Sequence, residues 1–409
     1  MKTVAIVGTL DTKGVEFAFL KQAIEAEGVA TLVIDTGILA TPPFPPEIAA
    51  DMVAAAGGGD RAALAAGKDR GAAVTVMAKG AAEILGRLVA EGRVHGAIGM
   101  GGGGGTSIAA TAMRTLPIGF PKLIVSTLAA GDTTAIVGVK DITLMPSVVD
   151  ISGINRLSAQ IITNAAGAIA GMVKAAPVAP DDARPLVAAT MFGVTTPCVT
   201  RAREVLETAG YEVLVFHATG TGGRAMESLG DSRLLAGFLD LTTTEIADMI
   251  VGGVLPADQD RFGAAIRTGL PYVGSVGALD MVNFGSRDSV PEKFKSRKFV
   301  IHNPNVTLMR TTRDENRAFG EWIGARLNQM SGPVRFLLPE GGVSMLDAPG
   351  GAFHDPEADN ALFEAIERTV RQTPQRRIQR VRANINDDTF VDAVIEAFRS
   401  IMPKLQRRT

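Results

Sequence analysis

The residues with the clearest chemical potential form a glycine run from Gly99 to Ser107, after an apolar segment and before an Ala-rich stretch that predicts a helix. A strand that gives way to glycines and then to a helix exposes several backbone N–H groups, and the helix dipole adds partial positive charge there. Each glycine costs backbone entropy, so a bare backbone must be needed. The pattern predicts a phosphate cradle, with a ligand-free tight or flexible turn as the alternative. The assigned residues are Gly101, Gly102, Gly103, Gly104, Gly105, Thr106 and Ser107.

Known nucleotide motifs narrow this interpretation. A Walker A loop needs a lysine directly after its last glycine, and no lysine occurs between Gly105 and Lys122. The dinucleotide pattern Gly-x-Gly-x-x-Gly is met almost automatically by a run of glycines. The acidic ribose partner expected about 20 residues further on is missing, because the next predicted strand ends in Ser126 and Thr127. The remaining prediction is a phosphate cradle formed by the backbone and by the Thr106 and Ser107 hydroxyls. Ser126 and Thr127 are also assigned to cofactor binding.

A second polar group follows the first two predicted strands. The turn from Gly8 through Thr9 to Gly14 brings Lys13 toward a phosphate and Asp11 toward a metal or a hydroxyl. Lys13 stands at a predicted helix start, where the dipole disfavours a cation, which favours a functional role. Asp35 ends the second strand, where Rossmann-type units place a ribose-binding carboxylate. An Asx turn is the alternative for Asp35.

The second half of the chain offers its own candidates. The segment 219–224 follows a strand and opens a helix, so Arg224 could grip a carboxylate or phosphate there. His217 and His302 fall at predicted strand ends and are the acid–base candidates. Arg310 is predicted as a second anion clamp, with a salt-bridged structural arginine as the alternative. A mobile loop is the alternative for the segment around Arg224.

These residues must be positioned by regular secondary structure, and the same strand–helix–strand pattern occurs twice in the sequence. The strand–helix–strand patterns are Thr3–Val7, Val15–Glu27 and Thr31–Ile34, then Leu186–Thr190, Cys198–Ala209 and Glu212–Phe216. A Pro-marked linker at 175–185 separates them. The sequence therefore predicts an α/β protein of two Rossmann-like, doubly wound lobes with mainly parallel sheets, residues 1–180 and 181–409. Ligands bind outside the carboxyl ends of such strands, so we expect a ligand cleft between the lobes.

Composition excludes several classes of protein. The 409 residues carry 41 Lys and Arg against 43 Asp and Glu, so charge gives no case for binding nucleic acid or an anionic membrane. Cys198 is the single cysteine, which excludes an intrachain disulfide and is typical of a reducing compartment. The apolar segment near Met1 is too short for a signal peptide. A cytoplasmic location without membrane or nucleic-acid partners is the prediction.

Motifs along nearly the whole chain, taken together, resemble the Tm-1-like ATP-binding family of uncharacterised proteins. This family is widespread in bacteria and includes the N-terminal half of a plant tobamovirus-resistance protein. The motifs are Gly8–Gly14, Gly99–Thr106, Phe192–Pro197, His302–Pro304, Leu308–Thr312 and Pro339–Ser344. The resemblance implies two Rossmann-like lobes, ATP binding and a homodimer. The plant protein's additional C-terminal barrel has no counterpart here, so its activity and the antiviral role are not carried over.

The sequence thus predicts a nucleotide-binding protein for ATP, with or without Mg²⁺, and leaves the chemistry open. One hypothesis is an ATP-dependent enzyme acting on a small anionic substrate held by the second lobe. A second is an ATP-gated regulatory module without turnover. A third is an enzyme using NAD or a sugar phosphate, with Asp35 on the ribose.

Overall fold

The computed structural model describes residues 1–176 and 184–402 of the chain. The chain divides into two compact units, Met1–Ala179 (unit 1) and Pro180–Thr409 (unit 2). The lobe boundary predicted after residue 180 falls within 177–183, outside the described residues. Each unit is considered by itself below.

Unit 1 is built on a parallel sheet of five strands among residues 1–176. The strands are β1 (Thr3–Gly8), β2 (Ala30–Asp35), β3 (Gly96–Gly101), β4 (Lys122–Ser126) and β5 (Thr143–Pro146). Their order in the sheet is β2-β1-β3-β4-β5. The order reverses between β1 and β3, so the carboxyl ends of these two strands form the topological switch point where such sheets bind ligands.

Helices cover both faces of this sheet. They are α1 (Leu10–Ala26), α2 (Ala50–Ala56), α3 (Arg61–Gly67), α4 (Arg70–Ala90), α5 (Gly103–Arg114), α6 (Thr134–Val137) and α7 (Arg156–Lys174). Side chains alternate along each strand: Val4 and Ile6 pack with α1 and α7, whereas Ala5 and Val7 pack with α2, α4 and α5. Burial on both faces explains the continuously apolar strands.

Unit 2 repeats this plan with one more strand and an insertion. Its strands are β6 (Leu186–Met191), β7 (Glu212–His217), β8 (Gly237–Thr242), β9 (Tyr272–Gly277), β10 (Met281–Phe284), β11 (Phe299–Asn303), β12 (Val306–Arg310), β13 (Val334–Pro339) and β14 (Arg376–Val381). The main parallel sheet has the order β14-β13-β9-β8-β6-β7, and β10-β12-β11 form a small antiparallel sheet. The main sheet reverses between β6 and β8, as unit 1 does between β1 and β3.

The helices of unit 2 also lie on both faces of its main sheet. They are α8 (Thr196–Thr208), α9 (Thr221–Asp231), α10 (Glu245–Val251), α11 (Gly263–Thr268), α12 (Arg313–Leu327), α13 (Pro356–Thr369) and α14 (Asp388–Ile401). Residues of α8 and α14 pack on one face, and residues of α9 to α13 on the other. The predicted doubly wound α/β class is confirmed in both units.

Two sequence-based predictions of where helices and strands begin and end are wrong. The segment 8–14 was expected to be a loop, but α1 begins at Leu10, and a non-helical backbone at Lys13 kinks it. The glycine run was expected to connect strand and helix, but β3 extends to Gly101 and α5 begins at Gly103. Glycine's low intrinsic helix propensity argued for a loop in that run, and tertiary packing overrides it.

No helix within residues 1–176 and 184–402 combines the length and the apolar character that a membrane crossing requires.

Of the two glycines in the segment Gly8–Gly14, Gly8 has the less room for a side chain. A Cβ atom there would overlap the ring of Phe17, whose side chain is fully buried. Gly8→Ala should therefore destabilise unit 1 by about 1–3 kcal/mol, the usual cost of overpacking a core. Hydrogen exchange of the β1 amides measures the change.

Gly86→Ala in α4 is the matched control, because a Cβ there meets no atom within 4 Å. It should stabilise the helix by about 0.5–1 kcal/mol. Equal effects of the two substitutions would contradict the packing argument.

Candidate functional site

A pocket of about 630 Å³ lies at the switch point of unit 1. Its lining comes from the start of α1, the segment after β2, the α3–α4 region and the start of α5. The lining residues are Thr9, Asp11, Thr12, Lys13, Thr36, Gly37, Ile38, Leu39, Leu64, Ala65, Lys68, Asp69, Arg70, Ala73, Val74, Met77, Gly102, Gly103, Gly104, Gly105 and Ile108. Many of the residues predicted to bind a cofactor are therefore brought together within one unit.

Helix α5 begins at this pocket without a side-chain cap. Gly102 is its N-cap residue and can offer no side-chain oxygen, while the amide of Thr106 already closes the first turn on the Gly102 carbonyl at 2.9 Å. The amides of the preceding residues of a helix have no intrahelical acceptor. These glycine amides, with the positive end of the helix dipole, face the pocket.

The glycines of the run serve two different purposes. A Cβ atom at Gly101 would lie 2.9 Å from the Cα of Gly105, so these positions are bare because backbone packs on backbone. For this pair, close packing within the protein explains the need for a bare backbone, which the sequence pattern assigns to a ligand. At Gly103, in contrast, an added Cβ meets nothing within 4 Å, and at Gly104 it meets only the side chains of α4. These two positions leave the pocket open.

Three cationic side chains share the pocket with this helix start. The Arg70 Nη2 atom lies 3.5 Å from where a Cβ of Gly104 would stand. Lys68 precedes it in a left-handed backbone conformation at the end of α3. Within the described residues, neither side chain has an ion pair or a hydrogen bond to another side chain. Lys13, at the kink of α1, donates to the Ile151 carbonyl oxygen.

The first turn of α1 forms a polar wall. Thr12 Oγ1 donates a hydrogen bond to Thr9 Oγ1 at 3.1 Å. Asp11 Oδ2 accepts a hydrogen bond from the Leu39 amide at 2.7 Å. The kink at Lys13 separates this turn from the rest of the helix. Leu64, Val74 and Met77, from α3 and α4, form an apolar wall of the pocket.

Asp35 is buried behind the pocket instead of lining it. Its Oδ1 accepts hydrogen bonds from the Leu10 amide at 3.1 Å and the Gly37 amide at 2.9 Å. Burial raises the pKa of this carboxyl group above its usual value, although the two amides act in the opposite direction. Asp35 thus fixes the start of α1 and the segment after β2, which are both pocket walls.

Other predicted residues of unit 1 also support the pocket from behind. Thr106 Oγ1 lies 2.7 Å from Ser126 Oγ and 3.1 Å from the Gly101 carbonyl oxygen, and both side chains are fully buried. Thr127 is exposed, and its amide donates to the same Gly101 carbonyl at 3.3 Å. Gly8 makes room for Phe17. None of Gly8, Gly101, Thr106, Ser126 or Thr127 lines the pocket.

In unit 2, the turn before α9 binds a carboxylate of the same chain, that of Glu245. The Glu245 carboxylate, which is fully buried, accepts from the amides of Gly220 at 2.6 Å and Gly223 at 3.1 Å. Arg261 donates to its other oxygen at 3.1 Å. Arg224 Nε donates to the Gly220 carbonyl at 3.2 Å. The amides that the sequence assigned to an external anion are thus occupied by Glu245.

Arg310 is a buried structural arginine, which corrects its prediction as an anion clamp. Its Nη2 contacts Asp359 at 2.9 Å and Asp347 at 3.3 Å. Its Nε donates to the Phe353 carbonyl at 2.7 Å. Only 5% of the residue is exposed, so it presents no free donor edge to a ligand.

Three carboxyl groups surround this single guanidinium. Burial, with the charge of Asp347 adding to it, raises the pKa of Asp280 to about 7 and that of Asp359 to about 9. Asp280 Oδ2 also accepts from Ser344 Oγ at 2.7 Å. Three carboxylates against one cation would leave an uncompensated buried charge, so the cluster retains protons near neutral pH.

The two histidines predicted as acid–base candidates lie at the surface of unit 2. His217 is exposed at the end of β7, and its ring centroid lies 5.3 Å from that of Phe192. His302 is exposed in the β11–β12 hairpin. Within the described residues, no group of three or more His, Cys, Asp or Glu side chains has a metal-binding arrangement.

Sequence reasoning missed the contribution of the α3–α4 region. Lys68 and Arg70 stand some thirty positions before the glycine run, and no motif marks them. The signal that could have identified them is the pair of cations at a helix start, where the dipole disfavours positive charge, the criterion already applied to Lys13. The sequence around the apolar residues of the pocket has the pattern of an ordinary amphipathic helix, so nothing in it indicates a binding site.

The chain consists of two doubly wound α/β units, with a pocket at the switch point of the first. Models of the uncharacterised protein family UPF0261 match it, the N-terminal domain over residues 2–177 and the C-terminal domain over 184–402. The chain belongs to the UPF0261 family.

Curated relatives agree with this assignment. A UPF0261 protein of Mesorhizobium japonicum is 55% identical over 96% of this chain and 98% of that protein. The tomato ToMV resistance protein Tm-1 is 46% identical over 81% of this chain, but over only 45% of the tomato protein. The family resemblance predicted from the motifs is confirmed.

Similarity to solved structures is weak. A UDP-N-acetylglucosamine 2-epimerase from Rickettsia bellii has a TM-score of 0.24 at 10% identity, covering 67% of this chain and 74% of that one. A similarity of this size supports no functional argument.

The cluster around Arg310 makes the stability of unit 2 depend on pH. An unfolded Asp titrates near about 4, whereas the folded pKa values of Asp280 and Asp359 are about 7 and about 9. The folded state therefore binds more protons above pH 4, and stability falls as pH rises from about 5 to 8. Glu227 and Asp248, each raised to about 7 by burial, act in the same direction. Urea unfolding followed by the single tryptophan, Trp322, measures this.

Asp359→Asn mimics the protonated acid and should flatten the slope by up to about 1.4 kcal/mol per pH unit, the value for one proton. Asp314→Asn is the control, because the Asp314 side chain is 84% exposed. A wild-type stability that rises over this pH range would contradict the assignment.

Proposed function

We propose that the protein binds a nucleotide, ATP in the first instance, in the pocket of unit 1. The observation that carries this proposal is an excess of unneutralised positive charge. The uncapped start of α5 lines the pocket together with three cations, Lys13, Lys68 and Arg70. The two carboxylates of the lining, Asp11 and Asp69, are fewer than the cations, and each already accepts a hydrogen bond from a backbone amide. Bringing these groups together is unfavourable unless an anion neutralises them. Phosphate groups fit backbone amides at a helix start.

The rest of the pocket supports a nucleotide over inorganic phosphate. Its volume lies within the usual range of about 300–1,000 Å³ for small-molecule sites. Leu64, Val74 and Met77 offer an apolar wall on which a flat base can lie, and the first turn of α1 adds a polar wall. The family resemblance to ATP-binding proteins points to the same ligand.

The alternative of NAD as ligand depended on Asp35, whose carboxylate is used by two amides of the chain. ATP is therefore favoured over NAD. Mg²⁺ would enter on the phosphates of ATP. A second anionic substrate, a homodimer and a cytoplasmic location stay predictions from the sequence, and turnover of ATP is a question for the experiment.

Isothermal titration with ATP, with and without Mg²⁺, tests the proposal. Wild-type protein should bind ATP, whereas Gly103→Asp should weaken binding at least about a hundredfold, because it places a carboxylate at the phosphate cradle. An acidic residue in the first turn also favours the helix, so the fold is retained.

Gly86→Asp, with the same change of charge in an open position of α4, is the control and should bind as wild type. Absence of heat for wild-type protein at millimolar ATP would refute the proposal. Release of inorganic phosphate in the same samples distinguishes an ATP-using enzyme from a module that only binds.

Arg70 should contribute through its charge. Arg70→Ala should weaken ATP binding about tenfold or more, the range of a charge-assisted hydrogen bond, and should reduce the salt dependence of the affinity. Arg87→Ala on the same helix is the control, since Arg87 is exposed and lies outside the pocket. Equal affinities for the two variants would rule out the role of Arg70.

A further inference from the structure

One acceptor on the pocket wall lacks a donor. Asp11 Oδ2 accepts from the Leu39 amide, but Asp11 Oδ1 has no hydrogen-bond partner within the described residues although it is shielded from solvent. A carboxylate can accept about four hydrogen bonds. Leaving a buried acceptor unpaired is unfavourable, and in native structures such an atom calls for an explanation.

The neighbouring backbone leaves space for this carboxylate. A Cβ atom at Gly37 would overlap the carboxyl carbon of Asp11. The amide of Gly37 is already donated to Asp35, so it cannot serve Asp11. The terminal torsion of Asp is broad, and a small rotation turns Oδ1 toward the pocket. Asp11 is thus an acceptor that the chain itself does not satisfy.

The missing partner is a neutral donor. The cations of the pocket, Lys13, Lys68 and Arg70, outnumber its two carboxylates, Asp11 and Asp69. Asp11 also lies in the first turn of α1, where the helix dipole disfavours a further cation. A nucleotide carries two kinds of neutral donor, the ribose hydroxyls and the amine of the base. A base against the apolar wall leaves the sugar to the polar wall that includes Thr9 and Asp11.

We propose that Asp11 accepts a hydrogen bond from the ribose hydroxyls of the bound nucleotide, so that the site selects ribonucleotides over deoxyribonucleotides. This inference rests on the proposed function. It assigns recognition of the ribose to Asp11 in the first turn of α1, and no longer to Asp35 at the end of β2. Discrimination of this kind is strong, because an analogue that lacks the hydroxyl leaves the buried acceptor unpaired.

Titrations with ATP, 2′-deoxy-ATP, 3′-deoxy-ATP and inosine triphosphate test it. Wild-type protein should prefer ATP over at least one deoxy analogue by about tenfold to hundredfold, and should bind the inosine nucleotide like ATP. Asp11→Asn should reduce the preference for ATP to below about threefold while the deoxy analogue binds as before. The ratio of affinities is the readout, because a merely structural role would weaken all four ligands equally.

Asp51→Asn is the control, since the Asp51 side chain is 72% exposed and lies outside the pocket. Equal binding of ATP and both deoxy analogues by wild-type protein would overturn the inference while leaving nucleotide binding intact. Weaker binding of inosine triphosphate, restored to parity by Asp11→Asn, would overturn it in favour of the base amine. Failure of all four ligands to bind would instead refute the proposed function. If Asp11→Asn does not fold, the wild-type ratios still decide.

Discussion

The carboxylate of Asp35 is the contact on which the candidate site depends. One of its oxygens accepts from the amides of Leu10 and Gly37, so it ties the start of α1 and the segment after β2 to the carboxyl end of the sheet. A buried group that does not itself line the pocket thereby fixes these two parts of the pocket lining. A buried carboxylate is unfavourable unless hydrogen bonds satisfy it, and the two amides do so.

The two units solve the same electrostatic problem in different ways. Each has a glycine-rich helix start near its parallel sheet. In unit 2 the turn before α9 receives Glu245, which also engages Arg261, so the positive helix end is neutralised internally. In unit 1 the start of α5 receives no side chain, and Arg70 and Lys68 add charge of the same sign. This contrast supports the proposal that unit 1 binds an external anion.

Much of this architecture could be predicted from the sequence, because apolar strands bounded by glycines and helix caps follow local rules. The strands at 3–8 and 186–191 and the capping box at Thr312 are examples. From the sequence, Asp35 and Arg310 could be assigned either to a ligand or to contacts within the protein, because the partners that decide between these roles lie up to 49 positions away and only the fold brings them together. The contribution of the α3–α4 region to the pocket was missed for the same reason. Sequence identifies groups able to bind an anion, whereas packing decides which of them the protein uses itself.

The internal carboxylate of unit 2 has a consequence for how the two halves respond to their surroundings. A helix start that is neutralised by the protein's own carboxylate gains nothing from ions in the medium, whereas a site that binds an external ligand is stabilised in proportion to the logarithm of the ligand concentration. Binding of the proposed nucleotide would therefore make the resistance of unit 1 to unfolding depend on the nucleotide concentration. In unit 2, Glu245 neutralises the start of α9 whatever the medium contains.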